Sequence, residues 1–133
     1  MFRILFLFFV FSLFTFGCQN NSETKTLQIV DNNADLMVNV TVKSNPATML
    51  QKNHLYITLN NKDGSKVDGA KVKVSLNMPQ MNHGDLSYTA YPKEEGVYYV
   101  EIIPIMQGTW VANVTAETEK KYLEAKYTFE AKR

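Results

Sequence analysis

The chain has 133 residues, 45% of them hydrophobic, with 14 basic and 13 acidic residues, a formal net charge of +1 and a single cysteine. That length suits one domain of ordinary size, and the near-neutral balance argues against a nucleic-acid partner, which calls for a basic patch. One cysteine forms no intrachain disulfide, so stability has to come from a packed core.

Arg3 is followed by an almost unbroken apolar run of thirteen residues, ILFLFFVFSLFTF, from Ile4 to Phe16. A bilayer-spanning helix needs about 20 residues, whereas a run of this length suits the apolar region of a secretory signal peptide. Thr15-Phe16-Gly17-Cys18 resembles a bacterial lipobox, with Thr15 standing where that motif usually has Leu. The motif implies cleavage before Cys18, acylation of Cys18 and a lipoprotein on the extracytoplasmic side of the cell envelope. Residues 1–17 then read as the signal peptide, 18–26 as a polar tether and 27–133 as the domain. The alternative is an ordinary signal peptide or short anchor helix with Cys18 as an idle thiol. Cleavage would remove Arg3 and leave 13 basic residues against 13 acidic ones. Membrane attachment would therefore come from lipid and not from a polybasic surface.

From Leu36 onward apolar residues recur with period two between turn residues, the pattern of half-buried strands. LMVNVTVKS carries Leu36, Val38, Val40 and Val42 on one face and ends at Asn45-Pro46. HLYITLNN carries Leu55, Ile57 and Leu59 and closes on Lys62-Asp63-Gly64. AKVKVSLNM carries Val72, Val74 and Leu76, and DLSYTAY carries Leu86, Tyr88 and Ala90 before a turn over Pro92-Lys93-Glu94-Glu95-Gly96. GVYYVEIIPI carries Tyr98, Val100 and Ile102; TWVANVTAET carries Trp110, Ala112 and Val114; YLEAKYTFEAK carries Leu123, Ala125, Tyr127 and Phe129. Seven short strands with hairpin-like turns and no helical period predict an all-β fold, an immunoglobulin-like antiparallel β-sandwich. Trp110 would pack its core where such domains often place a disulfide, and a small barrel is the alternative.

Met78-Pro79-Gln80-Met81-Asn82-His83-Gly84 falls between the third and fourth of these strands, in a loop at the end of the sandwich. Met81 and His83 are two residues apart and share a side of an extended segment, and Pro79 stiffens the backbone beside Met78. Thioether with imidazole is a donor set for Cu(I), a soft ion. Zinc more often takes Cys, Asp or further His, and calcium takes clustered oxygens that Asp85 alone does not supply. Met106 and the Trp110 indole are further candidates if their connection lies at the same end, and Met49 with His54 is a separate pair. The alternative is packing: Met fills gaps, and Trp110 has the bulk of a core residue.

The order of landmarks resembles the YtkA-like and FixH-like domains: the lipobox-like Cys18; Asp63-Gly64 leading to Val67-Asp68-Gly69-Ala70 and Val72-Lys73-Val74; Met78-Pro79-Gln80-Met81-Asn82-His83-Gly84; Gly96-Val97-Tyr98; Gly108-Thr109-Trp110. The resemblance runs from about Leu36 to Thr115. It implies a small extracytoplasmic immunoglobulin-like sandwich with Met78, Met81 and His83 as metal ligands, the glycines and Trp110 being structural. FixH-like proteins are associated with assembly of copper-containing oxidases, and the YtkA-like group with copper or other heavy-metal handling. A FixH-like protein carries a membrane helix, whereas this chain reads as lipid-anchored.

No nucleophile elbow, metalloprotease helix or phosphate-cradling loop is present, so the sequence favours a binding protein over an enzyme. The leading expectation is an envelope lipoprotein that binds or transfers Cu(I) through Met78, Met81, His83 and Met106, exchanging metal with a copper-handling envelope protein. The alternative is an interaction or assembly module of the same fold that binds no metal.

Overall fold

The alternation of residue types becomes an alternation of burial. Leu55, Ile57 and Leu59 are fully buried while His54, Tyr56 and Thr58 between them reach the outer surface, and Val72, Val74 and Leu76 alternate in the same way with Lys71, Lys73 and Ser75. A pleated strand sends successive side chains to opposite faces, so each segment buries one face and solvates the other.

The structure is a computed structural model that describes residues 26–33, 36–81 and 84–133. The signal-peptide stretch, Cys18, the tether up to Lys25 and His83 lie outside the described residues. Among those described there is no helix. The strands are β1 (Thr26–Asn32), β2 (Leu36–Val42), β3 (Ala47–Thr48), β4 (Asn53–Asn61), β5 (Lys71–Asn77), β6 (Leu86–Glu94), β7 (Val97–Ile102), β8 (Gly108–Glu117) and β9 (Tyr122–Lys132).

They run in the order β1-β9-β8-β5-β6-β7-β4-β2, antiparallel throughout, and two-residue β3 adds a parallel pairing to the end of β9. β6 belongs to both layers of the sandwich. Its residues Leu86 to Ala90 pair with β5, and Tyr91 to Glu94 pair with β7. A strand that changes sheet makes a corner of the sandwich, and here the change falls at Ala90 and Tyr91. The strand therefore runs through Pro92, Lys93 and Glu94, where the sequence suggests a turn, and the turn itself is confined to Glu95 and Gly96. The irregular register between Pro92 and Glu94 accommodates a proline that has no N–H to donate.

Between the layers lie Trp110, Tyr98, Tyr127, Leu55, Ile57, Leu59, Leu76, Ile102 and Leu123, all with at most 2% exposure. At one end the Tyr98 hydroxyl donates to Val67 O at 2.9 Å and accepts from Ala70 N at 2.9 Å. Gly96 N donates to Asp68 Oδ1 at 2.7 Å. The Val67-Asp68-Gly69-Ala70 and Gly96-Val97-Tyr98 landmarks are thus two halves of one lock.

Candidate metal centre

The opposite end holds the methionine turn. Asn77 pairs with Val111, so Met78, the next residue, emerges beside the start of β8. Met81 N donates to Met78 O at 3.0 Å, closing a β-turn with Pro79 in its second position, where the ring fixes φ at a value the turn requires. The two thioethers therefore flank one tight turn, at its first and fourth positions.

Met78 is half-buried and packs against the core, whereas Met81 is 47% exposed. Between this turn and the start of β8 lies a groove of about 490 Å³, lined by Met78, Pro79, Gln80, Met81, Gln107, Gly108 and Thr109. Gly108 has φ +129°, and a Cβ there would lie 2.8 Å from Met78 Cε. The missing side chain is the seat of the Met78 methyl. The wall behind is fixed by Trp110, fully buried, whose indole Nε1–H donates to Met106 O at 2.9 Å. The Thr109 hydroxyl is committed to Glu130 Oε1 at 2.5 Å.

Of the residues singled out in the sequence, Met78 and Met81 meet at this groove. Met106 belongs to the connection at the same end, but it does not line the groove: its side chain packs against the core and its carbonyl holds Trp110. Trp110 is a core residue. His54 lies apart on the outer face of β4, its Nδ1 2.7 Å from the Tyr99 hydroxyl, which donates to Glu101 Oε1 at 3.0 Å. The chain ends in the Lys52–Glu101 ion pair at 2.8 Å, and the Lys52 ammonium is the main reason the Glu101 carboxyl titrates below its usual range. Met49 is held in its loop by a bond from its N to Lys132 O. Gly108 is the residue the sequence reading placed only as a landmark; its role depends on strand register, which no local pattern carries.

The donor chemistry of the groove fits a soft cation. Its lining offers two thioethers, two carboxamides and a hydroxyl, with no carboxylate, and among the described residues no three His, Cys, Asp or Glu side chains gather anywhere. Hard or borderline ions that want several oxygens or imidazoles find no such set here, whereas thioether donors select Cu(I).

A two-layer immunoglobulin-like β-sandwich with a methionine turn at one end is the class of domain that the strands and this loop define. The chain belongs to the YtkA-like family, which it matches over residues 31–115. No curated protein matches it in sequence. Among solved structures it is similar to the soluble domain of PmoD from a Methylocystis species, at 13% identity over 79% of this chain and 97% of that one, with a TM-score of 0.48. It is also similar to the CARDB domain of a Pyrococcus furiosus protein, at 19% identity over 73% and 94%, with a TM-score of 0.46.

Proposed function

We propose that this protein is an extracytoplasmic, lipid-anchored binding protein for Cu(I), acylated at Cys18, that holds the ion for exchange with another copper-handling envelope protein and catalyses no reaction. The observation that carries the reading is the Pro79 turn, which delivers the Met78 and Met81 thioethers to one carboxylate-free groove. His83, two residues beyond Met81, supplies an imidazole by its place in the chain. Cu(I) bound by thioethers and imidazole needs few ligands and exchanges them readily, which suits transfer. Exposure differs between the two thioethers: Met78 is the seated donor, and Met81, facing solvent, is the one an incoming partner reaches first.

The test is a competition titration with Cu(I) against a chromogenic chelator under reducing conditions, comparing the unaltered protein with Met81→Leu and His83→Ala. The expected result is one-to-one binding that weakens at least tenfold in each variant while the far-ultraviolet spectrum stays unchanged. Binding should also weaken below about pH 6, where an imidazole takes up a proton in competition with the metal. Equal affinity in all three proteins would return Met81 to packing and take His83 out of the site.

A further inference from the structure

Seven large apolar side chains are exposed among the described residues, and four of them, Leu50, Met81, Ile103 and Ile105, stand at the end of the sandwich that holds the methionine turn. Three of these four belong to two segments that are tied together: Leu50 N donates to Pro104 O at 2.8 Å, so Leu50 is pinned against the segment that carries Ile103 and Ile105. Leu50 has φ +58°, a left-handed conformation unfavourable for a residue with a Cβ. The fold holds it there with its side chain 65% exposed. Such a cluster of aliphatic tips on a small domain marks a surface that meets something apolar.

The point where the chain enters the domain says what that is. Thr26 pairs with Thr128, Thr128 with Val111, and Val111 with Asn77, so β1 begins in the row next to Met78, at this same end. Seven residues, Gln19 to Lys25, separate Cys18 from Thr26. Fully extended, that stretch reaches at most about 30 Å, from roughly 3.6 Å per residue. The sheets themselves are about 35 Å long, given about 3.3 Å per residue along β9. A tether starting here would be used up in reaching the opposite end. The end with the aliphatic tips is therefore the end closest to the anchor.

We infer that this end of the sandwich rests on the bilayer that holds the acylated Cys18, with Leu50, Ile103 and Ile105 entering the interfacial layer beside the Met78–Met81 turn. The docking rests on the lipid-anchor part of the proposed function, and its consequence for metal rests on the Cu(I) part as well. Its consequence is that metal is exchanged at the membrane surface, with a partner that opens there, and not with a carrier approaching from the aqueous side.

The experiment uses the full acylated protein in protein-free vesicles of phosphatidylcholine and phosphatidylglycerol, with or without bromine on the acyl chains. Tryptophan reporters are placed by Ile105→Trp and Leu50→Trp at the proposed contact and by Lys120→Trp at the opposite end; the buried Trp110 gives a background that the unaltered protein measures. Brominated lipid is expected to quench the added emission at least twofold at positions 105 and 50 and to leave that at 120 unchanged. Acylated protein with no quenching at 105 and 50, or with equal quenching at all three, overturns the docking and leaves the anchor standing. An intact mass without acyl chains at Cys18 overturns both. Failure in lipid alone would give the apolar end to a protein partner or a second copy.

Discussion

Gly96 and Gly108 both occupy left-handed backbone, yet their missing side chains serve different neighbours. A Cβ on Gly96 (φ +67°) would lie 2.9 Å from the Leu59 carbonyl oxygen, part of the backbone of β4, whereas one on Gly108 would meet only the flexible end of Met78. Each Gly→Ala change should cost about 1–3 kcal/mol in backbone strain, and Gly96→Ala should cost more because backbone cannot step aside. Only Gly108→Ala should move the ε-methyl resonance of Met78; urea denaturation and methyl NMR on the pair check both statements. Tyr98 allows a further prediction. Removing its hydroxyl leaves Val67 O and Ala70 N without their partner, so Tyr98→Phe should destabilise by about 1–3 kcal/mol. Burial pushes the Tyr98 phenol above its ordinary value. The folded protein thus favours the neutral phenol, and this contribution is complete below the unfolded value of about 10 and is lost as pH rises past it. Stability should fall above about pH 10, less steeply in Tyr98→Phe. The slope should not vanish, since burial raises Tyr127 as well.

At the scale of the strand, β5 tests the two-faced reading directly. Leu76 is fully buried and Lys73, on the same strand, faces water. Leu76→Ala should cost about 2–5 kcal/mol and Lys73→Ala no more than about 0.5 kcal/mol; comparable losses in denaturant midpoint would mean that the faces are misassigned. All seven strands expected from alternation are present because each pairs its apolar residues on one side. β1 was not legible. Leu27 and Ile29 alternate, but Val30 follows Ile29 directly and the register slips between Ile29 and Asp31, so a bulge cuts the period off after two residues, too few to reveal the strand. β3, two residues long, is too short to show any period. The crossing of β6 between sheets was hidden because proline with acidic residues resembles a turn equally well. The methionine turn was visible from Pro79 and its flanking residues. Its contact with Gly108 was not, because that contact follows from the pairing of Asn77 with Val111 and not from residues near either one.

For the whole molecule, the family landmarks divide between two ends. Asp68, Gly96 and Tyr98 lock the end away from the groove, and Met78, Met81, Gly108 and Trp110 build the other. The strands between share one buried apolar core, so an ion bound at the methionine end should stabilise the whole domain through linkage and leave the lock unchanged. A ligand at a hundred times its Kd that binds only the folded state adds about 2.7 kcal/mol, which for a domain of this size raises Tm by roughly 10 °C. Cu(I) should therefore raise the melting temperature of the unaltered protein by that order under reducing conditions. Met78→Leu keeps the volume of the seated side chain and removes its sulfur, so it should melt near the unaltered apoprotein and gain little from Cu(I). Zn²⁺ should give both proteins a much smaller rise, because the groove supplies no carboxylate or thiolate. Calorimetry of the two proteins with each ion separates a thioether site from a general effect of metal. Equal shifts for unaltered protein and Met78→Leu would place bound copper elsewhere and leave the methionine turn as the plug of an open sandwich end.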